Sequence, residues 1–236
     1  MRAATATIVV VLFALGEFVA ADVPSSSRSR EAASRVTPAL TESLSAKGLH
    51  FGSPIFIRII KESKELEVWV QAGARFKRFK TYDICTYSVD LGPKLRTGDR
   101  QGPEGFYFVT PERMNPSSQF HLSFNLGYPN AYDRAYNRTG SLLMVHGNCV
   151  SIGCYAMTDA GIEEIYTLAD AALRNGQSFF RVHIFPFHLT TDNLESRCNS
   201  KWADFWSNLK EGYDWFEQHD RPPNVEVNDR LYVFGE

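Results

Sequence analysis

The amino-acid sequence predicts a mixed, β-dominated α+β fold. Short runs of β-branched and aromatic residues recur through the first half of the 236-residue chain. Two longer segments in the second half repeat apolar residues at helical spacing. The composition, with 44% apolar and 22% charged residues, is that of a globular protein, and 17 Phe, 10 Tyr and 4 Trp provide a large aromatic core. The formal net charge of −2 argues against a nucleic-acid-binding protein, which usually carries a basic excess.

The first 21 residues have the pattern of a secretory signal peptide. Arg2 gives a basic start, residues 8–15 form an apolar run, and Val19-Ala20-Ala21 places small residues at the −3 and −1 positions of a cleavage site. An uncleaved membrane anchor is the alternative, but the apolar run is shorter than the roughly 20 residues that span a bilayer. We therefore predict cleavage after Ala21 and export of the remaining chain.

The predicted organisation has three segments. Residues 1–21 are the signal peptide, residues 22–49 are a polar linker and N-terminal lead-in, and residues 50–236 form one folded domain. The linker prediction rests on the alternation of serine and arginine in residues 25–30.

Strands are predicted wherever apolar runs are bounded by glycine, proline or charged residues. Ala72-Gly73 and residues 102–105 are such turns. The predicted strands are residues 55–60, 66–70, 82–88, 106–109, 142–145 and 179–185, with a final β segment within residues 225–233.

Two amphipathic helices are predicted to cover the strands. The first has Ile162, Ile165 and Leu173 on one face, begins at a cap formed by Thr158 or Asp159, and ends near residue 175. The second carries a stripe of aromatic residues from residue 202 to the prolines at 222–223. We expect this stripe to pack on the core, with a carbohydrate-binding platform as the alternative.

Residues 142–158 contain the elements of a cysteine nucleophile. His146 closes a predicted strand, and Cys154 follows eight residues later. A cysteine nucleophile needs a base within reach and donors for the oxyanion that develops on the substrate. His146 can supply the base, and the backbone amides near Gly153 can supply the donors. The positive end of the following helix is expected to favour a thiolate.

Two other interpretations of the cysteines remain open. His146, Cys149, Cys154 and His183 could bind zinc, although the spacing matches no common structural zinc motif. Cys149 and Cys154 could instead form a disulfide, which would leave no nucleophile. We expect Cys149 to be a small buried residue of the turn, while Cys85 and Cys198 are either structural or paired.

The pattern resembles the L,D-transpeptidase (YkuD-type) catalytic domain family, in its YafK-like branch. His146-Gly147, followed by Ser151-x-Gly153-Cys154, carries the resemblance, which extends over about residues 50–235. The other matching segments are residues 90–94, 97–99, 103–107 and 182–187. The resemblance implies a β-sandwich or barrel core of the L,D-transpeptidase type with two covering helices.

The resemblance also implies site residues. Cys154 would be the nucleophile and His146 the general acid and base, with the Gly147 carbonyl orienting the imidazole and the Gly153 backbone in the oxyanion pocket. Neither a metal nor a cofactor is expected. The expected substrate contacts are Ser151, Asn148, Arg96 and Arg138, the two arginines being drawn from seven basic candidates: Lys94, Arg96, Arg100, Arg113, Arg134, Arg138 and Arg181.

The implied function is that of an exported cysteine enzyme of peptidoglycan remodelling, in the periplasm of a Gram-negative-type bacterium. Cys154 would form a thioester at the L,D bond of meso-diaminopimelate. Water, a diaminopimelate amine or a protein lysine would resolve that thioester. The expected partners are peptidoglycan stem peptides and an outer-membrane lipoprotein or barrel protein linked to peptidoglycan. A catalytically inactive peptidoglycan-binding module is the alternative.

Two departures from the broad family motif bear on the reaction. Ala156 stands where that motif has an arginine, and the interval between His146 and Cys154 is short. A third departure, Gly102 in place of a threonine, does not bear on the reaction. The first two features are typical of the hydrolytic branch, so we expect water or a protein amine as the acceptor.

Overall fold

The computed structural model describes residues 22–87 and 90–235, so the predicted signal peptide lies outside the described residues. The strands are β1 (Ile55–Ile60), β2 (Glu65–Ala72), β3 (Arg75–Asp83), β4 (Gly105–Val109), β5 (Met114–Asn115), β6 (Ser123–Asn125), β7 (Met144–His146), β8 (Tyr155–Ala156), β9 (Phe180–Phe185), β10 (Asn224–Asn228) and β11 (Leu231–Gly235). The helices are α1 (Ser27–Ser45), α2 (Ala131–Ala135), α3 (Asp159–Arg174), α4 (Thr191–Glu195) and α5 (Ala203–His219), with a 3₁₀ turn at Pro111–Arg113. The predicted mixed α+β fold is confirmed.

A five-stranded sheet in the order β3-β2-β1-β9-β4 forms the centre of the molecule. β1 and β9 run parallel, and the other neighbours are antiparallel. All six residues of β1 are buried because both faces of this sheet are covered.

A four-stranded sheet in the order β5-β6-β7-β8 packs against one face of the central sheet. The ring of Phe124 in β6 meets that of Phe180 in β9 edge to face, with centroids 5.3 Å apart. The buried face of α3 completes this core through residues such as Ile165 and Leu173. The second sheet carries the segment between His146 and Cys154, so its position on the core fixes that segment.

Helix α5 and the β10–β11 hairpin cover the opposite face of the central sheet. Phe185 of β9 contacts Tyr213 of α5 with ring centroids 5.2 Å apart. Four aromatic residues of α5 are buried: Phe205, Trp206, Tyr213 and Phe216. The aromatic stripe therefore packs on the core, as expected, and is not a solvent-facing platform.

Both predicted helices are present. Thr158 is the N-cap of α3, its side chain accepting a hydrogen bond from the Gly161 amide, and Asn175 follows the last helical residue. None of the described helices is long and apolar enough to cross a membrane.

Residues 27–45 form helix α1, although the sequence was expected to give a polar linker there. Ser26 caps the helix in a capping box with Ser29, and Ala32, Leu40 and Leu44 are buried on one side. The buried side packs against α3. Serine and arginine residues lie on the exposed side. The composition of the segment is therefore polar and does not indicate the short apolar stripe.

The whole of β2 pairs with β3 in an antiparallel hairpin. Because β3 ends at Asp83, only the first two residues of the strand predicted at 82–88 lie in a strand in the described part of the chain. Only every third residue or so of β3 is buried, which is why its charged sequence was not recognised as a strand. Beyond it, Thr86 makes an isolated bridge with Ala156 of β8.

A fully buried ion pair joins Lys61, at the end of β1, to Glu104, before β4. The Lys61 Nζ lies 2.8 Å from Glu104 Oε1 and also donates to the carbonyls of Gly92 and Gly102. Glu104 accepts in addition from the Gly92 amide and from the Trp206 indole. Burial lowers the pKa of Lys61, and Glu104 opposes that effect. The pair fixes both ends of the loop formed by residues 92–102.

We expect Glu104→Gln to lower the free energy of unfolding by about 3–5 kcal/mol, because it leaves the buried Lys61 ammonium without its counter-charge. Asp214→Asn is the matched control. It removes a partly exposed i,i+4 pair with Lys210 and should cost less than about 1 kcal/mol. Chemical denaturation measures both values. Equal effects of the two variants would contradict a dominant role for the buried pair.

Candidate active site

His146 is held in a defined orientation at the end of β7. Its Nδ1 lies 2.6 Å from the carbonyl oxygen of Gly147. Because a carbonyl only accepts, Nδ1 carries the proton and Nε2 has the free lone pair of a base. The imidazole is 2% exposed and lies against the ring of Phe120, with centroids 4.6 Å apart. The Gly147 carbonyl therefore occupies the orienting position that the resemblance implied.

Strand pairing brings Cys154 to the same cleft. β7 and β8 are parallel, with Val145 opposite Tyr155 and His146 opposite Ala156. Cys154 lies two residues before Ala156 and so falls on the His146 face of the sheet. Both residues line one cleft of about 770 Å³. The short interval in sequence is thus a loop, residues 147–154, that returns the chain to the start of a parallel neighbouring strand.

The thiol of Cys154 donates a weak hydrogen bond to the carbonyl of Leu142, at 3.6 Å. Leu142 has φ of 56°, a left-handed conformation that is uncommon for a leucine. Its side chain, together with those of Val150 and Ile152, is exposed beside the cleft. Strained backbone at this position therefore directs a carbonyl toward the candidate nucleophile.

Burial acts on both groups in the direction of the neutral form. It raises the pKa of Cys154, although a backbone hydrogen bond with Met144 and the charge of Lys94 partly offset this effect. It lowers the pKa of His146, against the hydrogen bond to Gly147. Both shifts favour the neutral thiol and the neutral imidazole. For Cys154 this direction is opposite to that of the thiolate expected from the position of α3.

The turn between His146 and Cys154 is fastened at several points. Cys149 forms a disulfide with Cys85, and its amide donates to the Met157 carbonyl. The Asn148 amide donates to Asp159 Oδ1. Cys149 is therefore neither a small buried thiol nor a partner of Cys154, so both of those interpretations are wrong. Cys154 and Cys198 are free thiols.

Ser151 and Gly153 shape the last part of this turn. The Ser151 hydroxyl donates to the Cys154 carbonyl and accepts from the Gly153 amide. Gly153 has φ of 142°, and a Cβ there would lie 3.3 Å from the Gln101 carbonyl. The Gly153 amide is thus already engaged. Among the described residues, no acceptor is found for the Cys154 amide, which leaves it as the available oxyanion donor.

The cations that line the cleft are Lys94 and Arg100. Lys94 Nζ is held by Asp99 Oδ1, at 2.5 Å, and by the Arg96 carbonyl. Arg100 has no ion-pair partner in the described part of the chain. The Arg96 side chain is exposed and does not line the cleft, although it belongs to the same loop.

Arg138 lies outside the cleft, in an aromatic cluster. Its guanidinium pairs with Asp133 Oδ1 at 2.9 Å and lies over the rings of Tyr132, Tyr136 and Phe205. It is buried, so the structure gives it a role in packing where the sequence indicated a substrate contact. Asn148 is likewise absent from the cleft lining, whereas Ser151 contributes to it.

The zinc interpretation finds no support in the described residues, which contain no group of three or more potential metal ligands. His183 is on β9, 1% exposed, and its ring lies 4.7 Å from those of Phe56 and Phe106. Burial lowers its pKa well below the ordinary value. His183 therefore belongs to the aromatic core on the far face of the central sheet.

Sequence reasoning did not identify Phe120 or Leu142 as parts of the site. Phe120 acts through its ring and Leu142 through a backbone carbonyl, and neither contact is encoded by a motif. Lys94 and Arg100 appeared only in the wider set of basic candidates. Their position was the one signal that could have favoured them, because Lys94 ends the matching segment 90–94 and Arg100 lies between the matching segments 97–99 and 103–107.

Comparison with known proteins supports the resemblance. The sequence profile of the YkuD family, described as the L,D-transpeptidase catalytic domain, matches residues 54–184. The YafK proteins of Escherichia coli K12 and O157:H7, named as L,D-transpeptidases, are each 47% identical over 182 residues, which cover 77% of this chain and 74% of theirs. The helical cell shape determining protein Pgp2 of Campylobacter jejuni aligns over 80% of both chains with 17% identity and a TM-score of 0.45.

The two pKa shifts predict the pH dependence of the site. In the rate–pH profile of turnover, the midpoint of the acid limb should lie below the ordinary histidine pKa of about 6.5. The reason is that the lowered pKa of His146 keeps the base unprotonated to lower pH. The direct alkylation of Cys154 by iodoacetamide should rise with a midpoint above the ordinary cysteine value of about 8.5. Rate–pH profiles of turnover and of alkylation measure these midpoints. An alkylation midpoint near or below neutrality would show a thiolate resting state instead.

Proposed function

Because this chain belongs to the YkuD-type L,D-transpeptidase catalytic domain family, we propose that it is an exported cysteine enzyme of peptidoglycan remodelling. Its substrate is the stem peptide, at the bond between the L-centre of diaminopimelate and the D-centre that follows. The family membership supplies the substrate class, and the site supplies the chemistry.

One observation carries the proposal. A free thiol and an imidazole with a fixed tautomer lie in one cleft, on the same face of two paired strands. Cys154 is unpaired, while the neighbouring Cys149 is engaged with Cys85. An inactive binding module would need neither an oriented base nor a thiol kept out of the disulfide, so the arrangement favours the enzyme.

The first half of the reaction transfers the acyl group to Cys154. The sulfur attacks the carbonyl carbon of the L-centre while His146 Nε2 takes the thiol proton. The negative charge that develops on the carbonyl oxygen is stabilised by the Cys154 amide. When the C–N bond breaks, the imidazolium returns the proton to the leaving amine, and a thioester remains.

The second half reverses the proton movement. His146 takes a proton from the acceptor, which is water or an amine, as the acceptor attacks the thioester carbonyl. The C–S bond breaks, and the sulfur recovers its proton from the imidazolium. The same neutral pair that started the cycle is restored, and burial of both groups favours that state.

Lys94 and Arg100 recognise the carboxylates of the stem peptide. They are the charged side chains on the cleft wall, and no acidic residue lines that cleft in the described part of the chain. Lys94 is anchored by Asp99, so it presents a fixed charge near the thiol. Arg100 is exposed and can pair bidentately with a carboxylate. Together they take the place of the arginine that Ala156 replaces.

The disulfide is in accord with a site of action outside the cytoplasm, because structural disulfides persist in oxidising compartments. We place the enzyme in the periplasm, with peptidoglycan stem peptides as its partners. An outer-membrane lipoprotein or barrel protein joined to peptidoglycan is the partner when the leaving amine is a protein lysine.

The test of the proposal is mass spectrometry of muropeptides after incubation with the enzyme. Cys154→Ala should abolish turnover and keep the fold, since it removes one thiol from a loop. His146→Gln should lower turnover by about 10²–10⁴-fold, the usual contribution of a general base. Cys198→Ala, which alters the other free thiol, is the control and should be unchanged. Normal processing of muropeptides by the Cys154→Ala variant would contradict the proposal.

Substrate recognition is tested by a matched pair of arginines. Arg100→Gln should raise KM for a stem peptide about tenfold, the effect of one charge-assisted hydrogen bond. Arg96→Gln should change KM less than about twofold, because this residue is in the same loop but outside the cleft. Steady-state kinetics on a tetrapeptide muropeptide give both values. If Arg96→Gln raised KM more than Arg100→Gln did, the carboxylate of the substrate would have to bind elsewhere.

We expect water or a protein amine to be the preferred acceptor. A cross-linking enzyme must hold two anionic stem peptides at one thioester, whereas this cleft offers two cations that suit a single donor. Incubation with disaccharide tetrapeptide alone measures the preference. Hydrolysed product should dominate, and efficient formation of 3→3 dimers would show that a second stem peptide is the natural acceptor.

A further inference from the structure

We propose that helix α1 positions the catalytic base, and that Arg28 is the residue through which it does so. The inference rests on the proposed function, because it concerns the same site. Helix α1 precedes residues 54–184, which match the family profile. Helix α1 therefore lies outside the region that matches the family profile. Its contacts nonetheless lead to the catalytic histidine.

Polar contacts tie the start of α1 to the segment 116–121. The Ser26 hydroxyl donates to the Pro116 carbonyl at 2.8 Å. Arg28 Nη1 donates to the carbonyls of Ser118 and His121, both at 2.7 Å. The two acceptors of Arg28 lie on either side of Phe120. One guanidinium thus fixes the backbone that carries this ring.

A second tether joins the same segment to α1 through α3. Glu163 of α3 accepts from Arg35 Nη2 at 2.6 Å, and its Oε1 lies 2.8 Å from His121 Nε2. The Arg35 side chain is largely exposed, so solvent screens its share of this tether. Arg28 is exposed as well, but it donates to two backbone carbonyls of the segment itself, whereas Arg35 acts only through Glu163.

Phe120 passes this constraint to His146 in two ways. Its ring covers the imidazole, with centroids 4.6 Å apart. Its carbonyl accepts from the Gly147 amide at 3.0 Å, and the Gly147 carbonyl in turn holds His146 Nδ1. A shift of residues 118–121 would therefore move the Phe120 ring, against which the His146 imidazole lies. It would also move the Gly147 carbonyl, which fixes the tautomer of His146.

Such a shift acts on the rate of chemistry rather than on substrate binding. Neither Arg28 nor Phe120 contributes a charge to the cleft wall, and the cations that bind carboxylate lie on the 92–102 loop. A misplaced base lowers kcat, because the thiol proton must be taken along a defined line. KM, which reports the carboxylate contacts, should change little.

The experiment compares Arg28→Ala with Arg30→Ala, on the complete exported chain. Arg30 is exposed on the same helix and contacts Ser25 rather than the catalytic region. Arg28→Ala should lower kcat about tenfold with KM within about twofold. Arg30→Ala should match the wild type. Arg28→Lys, which retains a charged donor, should recover most of the rate.

A second measurement separates this proposal from the proposed function. The rate of Cys154 alkylation at neutral pH needs no substrate, and in Arg28→Ala it should fall toward the rate of His146→Gln. Phe120→Leu should behave like Arg28→Ala while keeping an apolar side chain over the imidazole. If Arg28→Ala and Arg30→Ala have equal alkylation rates and equal kcat per folded molecule, α1 is only a structural support and the proposal fails. If the wild type turns over no muropeptide but the alkylation difference persists, the positioning role stands and the proposed substrate is wrong.

Discussion

Two opposite charges buried out of contact with water, Lys61 and Glu104, hold both ends of the loop that forms one wall of the candidate active-site cleft. Such a pair is tolerated only when every remaining donor and acceptor is satisfied. Here the partners that satisfy them are the backbone at Gly92 and Gly102 and the indole of Trp206. The loop between the two glycines carries Lys94 and Arg100 into the cleft. One wall of the site is therefore an outcome of how the fold neutralises a buried lysine.

The opposite wall relies on backbone groups rather than on side-chain acids. The carbonyl of Gly147 orients the base, the carbonyl of Leu142 receives the thiol, and the carbonyl of Phe120 fixes the peptide of Gly147. A carbonyl can orient an imidazole without adding a full negative charge beside it. Burial therefore remains the larger influence and lowers the pKa of His146, although the hydrogen bond to the Gly147 carbonyl acts in the opposite direction.

The elements that could be predicted from sequence were those with a local signature. The apolar periodicity of α3 and α5, and the spacing of His146 and Cys154, are such signatures, and the structure brings these two residues to one cleft. Helix α1 was not predicted because its buried stripe is narrow and its exposed face resembles a linker. The contacts of Arg28 join residues about 90 positions apart, and those of Phe120 join rings on different elements. Contacts of this kind depend on the tertiary arrangement, which no local pattern records.

The disulfide between Cys85 and Cys149 makes the order of folding and oxidation important for this chain. Cys149 is separated from Cys85 by 64 positions but from Cys154 by only five. In an unfolded chain the shorter loop closes more readily, and that local pairing would consume the nucleophile. The folded chain presents the distant partner instead, since Cys85 and Cys149 are held by hydrogen bonds to the neighbouring carbonyls of Ala156 and Met157. Oxidation after these strands have assembled leaves the Cys154 thiol free, whereas a Cys149–Cys154 disulfide formed before it would leave free thiols only at Cys85 and Cys198.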